Sequence, residues 1–367
     1  MRIRRDGMIW AAIALLAAAP PSLAWAQSPW SVPSDLSVEQ RTIIFGNRGA
    51  TLSGTLYLPR EKRPRGAVIA LHGAQVPLRS DPLYRHLIDI LPRLGWGLFI
   101  YDRRGSGEST SGGAAPGNFE LLAEDAVAAF ARLRREPGLD PDRIGFWGLS
   151  QGGWLTMLAA AKEQRAAFAV AVSAPMAAAD VQMNFAVANI LRIRGQPQSV
   201  IDRAVRARTA VDDYARGLRS RSEADAAEAD VAGEPWYDQL WLKGNIDDPE
   251  WPRQIRADPL RSLRGSRVPT LLIFGQSDPW VPVGASLAAL RSSAAELSQV
   301  TVKIIDGADH AMMLGIPPLQ QVDTGFATRA APNAPAYFAL LGAWLQSMNP
   351  GDKATEKSGE KDAHIGK

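Results

Sequence analysis

Gly148-Leu149-Ser150-Gln151-Gly152 lies between a short apolar run, Arg143–Gly148, and an alanine-rich stretch of helical character, Ser150–Lys162. The pentapeptide is a G-x-S-x-G sequence, and it carries chemistry where a strand turns into a helix. The reason is steric. A serine at such a sharp turn has a strained backbone, so the residues two before and two after it must lack bulk. The turn lifts the hydroxyl clear of a sheet and sets it at a helix N-terminus, where backbone N–H groups can stabilise an oxyanion.

The flanking sequence supplies the rest of such a sheet. Ala67–Leu71, Trp96–Tyr101 and Phe168–Val172 are continuous apolar runs of the kind buried in parallel sheets. Pro82–Leu94 has helical spacing up to Gly95. Asn118–Glu136 predicts an amphipathic helix capped by Asn118, with Leu121, Leu122, Ala126, Phe130 and Leu133 on its inner face. Val38–Phe45 and Ala50–Leu58 predict an antiparallel hairpin about the turn at 46–49. This alternation predicts an α/β fold with a mostly parallel central sheet flanked by helices.

From Met176 to Pro259 strand signals cease, and the Ala- and Arg-rich sequence predicts several helices, with Trp236, Trp241 and Trp251 near their end. Residues 176–259 are therefore expected to form a helical cap inserted over the top of the sheet. Strands resume at Thr270–Phe274 and Gln299–Ile305, and Ala334–Met348 is a last helix. The core is expected to span 27–175 and 260–349, opening on a Pro- and Ser-rich lead-in at 27–36.

The two ends have a different character. Arg2, Arg4 and Arg5 precede a 12-residue apolar run, Met8–Ala19, and Ala24-Trp25-Ala26 offers a cleavage site before Gln27. Residues 1–26 read as a signal peptide, which predicts an exported protein, periplasmic or secreted, with an uncleaved N-terminal anchor as the alternative. A membrane span needs about 20 apolar residues, so no span is expected after cleavage. Residues 350–367 are charged and Gly-containing and predict a disordered tail.

The formal net charge is +3; without Arg2, Arg4, Arg5 and Asp6 it falls to +1, so charge gives no reason to expect nucleic acid. There are no cysteines, which excludes disulfides and a thiol nucleophile. No His pair stands at ligand spacing either, and no metal is expected. Gly105-Ser106-Gly107 lacks the third glycine of a dinucleotide loop, since Thr110 holds that place, and no cofactor is expected.

A serine hydroxyl needs a base. Of four histidines, His364 lies in the tail, His86 is inside a predicted helix, and His72 ends a strand beside Gly73. His310 follows the last strand and is the candidate base. Asp278, in the loop after Thr270–Phe274, is the candidate acid that orients it. Asp306 and Asp309 are rivals by their closeness to His310 in the chain; Asp309 better suits a turn.

His72-Gly73, Asp102-Arg103-Arg104-Gly105-Ser106-Gly107-Glu108-Ser109, Gly148–Gly152, Asp278 and His310, in this order, resemble the α/β-hydrolase superfamily over about residues 38–175 and 260–348. The likeness is to bacterial esterases related to the dienelactone-hydrolase and prolyl-oligopeptidase branches. It implies an α/β-hydrolase fold and a serine hydrolase with the triad Ser150, Asp278 and His310. It implies an oxyanion hole from the backbone N–H groups of Ala74 and Gln151, a structural His72 bonding loop backbone, and a 102–109 loop that supports the site. Gln75, Trp154, Trp241 and Trp280 are candidates for substrate contact. The expected partner is a small-molecule ester, with a peptide substrate or an inactive binding protein on the same fold as alternatives.

Overall fold

The computed structural model describes residues 38–60, 63–74, 77–113, 117–323 and 333–348. The expected signal peptide, lead-in and tail, with His364, and also Gln75, lie outside the described residues.

β1 (Val38–Asn47) and β2 (Ala50–Pro59) form the hairpin. Its two-residue turn, Arg48-Gly49, has φ of 46° and 77°, the positive values that match a turn to the twist of the paired strands. β3 (Ala67–Leu71), β4 (Gly97–Tyr101), β5 (Ile144–Leu149), β6 (Ala169–Val172), β7 (Thr270–Gly275) and β8 (Val300–Ile305) follow. The eight-stranded sheet has the order β1-β2-β4-β3-β5-β6-β7-β8. β1 and β2 are antiparallel, β2 meets β4 antiparallel, and β4 through β8 are mutually parallel. β3 to β7 are buried throughout, which is why they read as unbroken apolar runs rather than alternating ones.

Helices cover both faces. α1 is short, Arg85–Ile90, after a 3₁₀ turn at Pro82–Tyr84, and so ends well before the predicted Leu94. α2 (Phe119–Leu133) is capped by the Asn118 side chain, which accepts from the Leu121 N–H at 3.0 Å. With α3 (Gln151–Lys162) it packs Leu122, Phe130 and Leu155 against Ile69, Phe99 and Phe146. On the other face Leu87 of α1 and, from the last helix, Tyr337 and Leu341 meet Leu98, Trp147 and Ile273. Period-two alternation along β5 sends Phe146 and Trp147 to opposite layers. Trp147 is fully buried, and its indole N–H donates to the Tyr337 hydroxyl at 3.1 Å, so no polar atom is stranded.

Between β6 and β7 the chain runs through α4 (Ala179–Ile193), α5 (Gln198–Arg216), α6 (Arg221–Val231), α7 (Leu242–Asp247), α8 (Trp251–Gln254) and α9 (Pro259–Arg264). The helical stretch therefore runs past 259. α9 places Leu260 and Leu263 in the same apolar cluster as Met157 of α3. The α4–α7 region has its own core, including Val187, Leu191, Val211, Trp236 and Leu240. Inside it, Arg208 pairs with Asp212 and donates to the Leu240 carbonyl at 3.1 Å and to Asn245 at 2.6 Å. The Trp251 indole N–H donates to Asp212 at 3.1 Å, and the Arg208 guanidinium lies over its ring. Buried charge so matched holds α5, α7 and α8 together.

The remaining helices are α10 (Val283–Ser292), α11 (Pro318–Gln321) and α12 (Pro335–Ser347). Among the described residues no helix is long and apolar enough to cross a membrane.

Candidate active site

Ser150 stands between β5 and α3 with φ 58° and ψ −121°, a region costing a non-glycine residue about 1–3 kcal/mol. Its surroundings enforce the turn. Its own N–H donates to the Val172 carbonyl of β6 at 2.8 Å, and its carbonyl accepts from Gly153 at 2.9 Å. A Cβ at Gly148 would lie 2.1 Å from the Gly152 carbonyl oxygen. A Cβ at Gly152 would lie 2.6 Å from the Leu71 carbonyl oxygen, at the end of β3. The two glycines thus press the start of α3 against the exits of β5 and β3. Gln151 is the first residue of α3, and its N–H has no acceptor within the helix.

β7 is two strands from β5, about 10 Å across the sheet. The loop after β8 folds back over the end of β7: the Ser277 N–H donates to the Ala308 carbonyl at 2.9 Å, and a Cβ at Gly275 would strike the Asp309 carbonyl at 2.2 Å. His310 Nδ1 meets Asp278 Oδ2 at 2.7 Å, with both side chains buried. The other oxygen, Asp278 Oδ1, accepts the backbone N–H groups of Trp280 at 2.8 Å and Val281 at 3.0 Å. The acceptor at Nδ1 keeps the imidazole proton there and leaves Nε2 basic. Burial works to lower the His310 pKa, but the charge and hydrogen bond of Asp278, with the charge of Asp309, outweigh it and raise the value above 6.5.

Asp309 is turned away to its own loop. Its Oδ1 accepts the N–H groups of Ala311 at 2.9 Å and Met313 at 2.8 Å. Burial raises its pKa. His72 Nε2 bonds the Tyr101 carbonyl at the end of β4, a strand end rather than loop backbone. Burial, aided by the charge of Arg103, pushes its pKa down to about 3, which makes it a neutral bracket. His86 bonds the Leu83 carbonyl at 2.8 Å and the Tyr337 hydroxyl at 3.1 Å, and burial takes its pKa down to about 4.

Ala74 is exposed just beyond β3. Trp280 lies in the Asp278 loop, its indole N–H donating to the Gln321 carbonyl at 3.2 Å and its ring 6.1 Å from that of Trp241. Trp154 packs on Phe119, donates to the Pro175 carbonyl at 2.6 Å, and lines a groove with Gly117, Met157, Arg253 and Pro259. Ser150, Asp278 and His310 do not line that groove.

Two residues of this neighbourhood escaped the sequence reading, and Arg103 was read only as part of the 102–109 loop. Gln182 and Asn189, both on α4, donate to the Trp280 carbonyl at 3.3 Å and the Pro279 carbonyl at 3.0 Å. Arg103 bonds the loop after β3. A polar residue on an Ala-rich helix gives no signal of its partner. A buried arginine in a Gly-rich loop gives at most the hint of its tandem, Arg103-Arg104. Among the described residues no group of acidic, histidine or cysteine side chains is placed to hold a metal.

The profile of the family described as serine aminopeptidase, S33, matches residues 62–315. The chain belongs to the serine aminopeptidase S33 family. Like other S33 proteins it is a hydrolase of the α/β-hydrolase superfamily. An esterase of Pyrococcus furiosus shares this S33 protein's fold, with a TM-score of 0.57 at 17% identity over 88% of this chain and 97% of that one. A thiohydrolase of Aspergillus aculeatus is 29% identical over 124 residues, 34% of this chain and 38% of that protein. A polyketide transferase of Penicillium crustosum is 34% identical over 132 residues, 36% of this chain and 43% of that protein. The chain spans half or less of the length of the curated relatives it matches.

Proposed function

We propose that this S33-family hydrolase cleaves carboxylic esters of small molecules through an acyl-enzyme on Ser150. The observation that carries the reading is the Asp278–His310 hydrogen bond of 2.7 Å, made by loops at the same end of the sheet as the strained serine. His310 Nε2 takes the hydroxyl proton as Ser150 Oγ attacks the ester carbonyl. The oxyanion forms against the N–H groups of Gln151 and Ala74. Collapse expels the alcohol, which receives the proton from His310. Water then gives its proton to His310, attacks the acyl-enzyme and releases the acid, and the proton returns to Ser150.

Thioesters follow the same course with a better leaving group, and the names of the fungal thiohydrolases favour including them in the assay. The family's description favours a second reading, release of an N-terminal amino acid from a peptide. Export is part of the proposal, on the strength of residues 1–26.

The test is fluorophosphonate labelling of the full chain, then assays on short-chain nitrophenyl esters, acyl thioesters and aminoacyl nitroanilides. Labelling and ester turnover are expected, and both should vanish in Ser150→Ala. Nitroanilide turnover without ester turnover replaces the ester reading with the peptidase one. An intact chain that neither labels nor turns over any substrate ends both and leaves a binding protein.

A further inference from the structure

Asp102-Arg103-Arg104 sends its two arginines in opposite directions. Arg104 goes to Asp125: Nε donates to Oδ2 at 3.0 Å and Nη2 to Oδ1 at 2.5 Å, and the two side chains are 1% and 0% exposed. That charge is neutralised. Arg103 turns to the exit of β3, where Nη2 donates to the Gly73 carbonyl and Nη1 reaches the Ala74 carbonyl at 3.4 Å. Arg103 is buried, and among the described residues no carboxylate stands within ion-pair distance of it. Its Nε is also buried, with no hydrogen-bond partner among the described residues. Burial pulls its pKa down, yet a guanidinium starts so high that it stays charged. A buried cation satisfied only by backbone carbonyls is a poor stabilising device. The nearby backbone shows a use for it.

The Gly73 carbonyl and the Ala74 N–H belong to one planar trans peptide, so the two groups point in opposite directions. A donor gripping the Gly73 oxygen therefore fixes where the Ala74 hydrogen points. The missing Cβ of Gly152 brings the start of α3, where Gln151 is the first residue, close to the Leu71 and His72 backbone at the same β3 exit. A cation on the carbonyl also polarises the peptide and strengthens its N–H as a donor.

From this geometry we infer that Arg103 is a positioning residue for the oxyanion hole, holding the Gly73–Ala74 peptide so that its N–H faces the tetrahedral intermediate. The inference rests on Ser150 being the nucleophile. Arg103 touches no substrate; it acts through the peptide.

The experiment compares the full-length protein with Arg103→Met and Arg103→Lys on a nitrophenyl ester, with inhibition by a trifluoromethyl ketone, whose adduct carries an oxyanion. Loss of a whole oxyanion donor lowers kcat by about 10²–10³-fold, so a mis-aimed one should lower it by about 10–100-fold. Arg103→Met should lose kcat in that range with KM changed less than about threefold. Ketone affinity should fall by a similar factor, and Arg103→Lys should recover part of both. A kcat within about threefold of the parent, a loss confined to KM, or undiminished ketone affinity overturns the inference. If Arg103→Met does not give a folded chain by circular dichroism, Arg103→Lys decides, since a single ammonium nitrogen cannot reproduce the planar two-nitrogen fork that holds the Gly73 and Ala74 carbonyls. A lysine variant with parental kcat and ketone affinity then overturns it. Failure of the underlying reading looks different: Ser150→Ala would still turn over ester, or the intact chain would take no fluorophosphonate.

Discussion

Replacing Asp278 by asparagine separates charge from geometry at the site. The Asp278 Oδ1 position faces two backbone donors, Trp280 N–H at 2.8 Å and Val281 N–H at 3.0 Å, so an asparagine there must present its oxygen to them. Its NH₂ then faces His310 Nδ1, now 2.7 Å from Asp278 Oδ2. A donor at that place forces the imidazole proton onto Nε2, and the nitrogen that the proposed mechanism needs for Ser150 can no longer accept. The amide can flip only by leaving both backbone donors without an acceptor, at about 1–3 kcal/mol each. Even the low end, about 2 kcal/mol for the pair, holds the productive arrangement to about 3% of molecules. That is a loss of roughly 30-fold in kcat. A locked wrong tautomer carries the loss to about 10⁴-fold. Nitrophenyl ester hydrolysis at pH 8, with circular dichroism to verify folding, measures it. A folded Asp278→Asn protein within about tenfold of the parent would refute the reasoning, because neither tautomer control nor charge would then matter.

Two further outcomes follow from the same geometry. The imidazole works as a base only when unprotonated, and Asp278 and Asp309 hold its pKa above 6.5, so kcat/KM should rise with pH through a midpoint above 6.5; a pH–rate profile from 5 to 9 with a lower midpoint contradicts this. Arg104→Met should destabilise the fold by about 3–5 kcal/mol by leaving the Asp125 charge buried and unmatched, while Arg104→Met with Asp125→Leu should recover most of that in denaturant unfolding.

The middle of the sheet was legible because β3 to β7 are buried throughout and read as near-continuous apolar runs. Ala67–Leu71 and Thr270–Gly275 need no tertiary knowledge to be read. The Ser150 turn was legible for a local reason too: Gly148 and Gly152 exclude side chains from contacts within the same turn and its neighbouring strand. Proximity in the chain was a poor guide to the partner of His310. Asp309 is adjacent, yet its carboxylate serves the N–H groups of its own loop, while Asp278 reaches across from β7. Nothing in the composition separates Arg103 from Arg104, because their difference lies in what surrounds them after folding. For the same reason Trp154 could be placed on α3 but not assigned the groove it lines.

The two α4 side-chain amides that grip the Pro279 and Trp280 carbonyls make the helical insertion part of the mounting of the Asp278 loop. Under the proposed mechanism, a substrate whose remote end leaned on α4 would reach the Asp278 loop through those bonds. Features of a ligand far from the scissile bond would then be felt in turnover rate as well as in affinity. Grafting a different insertion onto this sheet would remove two of the bonds that hold the Asp278 loop, so swaps between relatives should preserve the Gln182 and Asn189 anchor points.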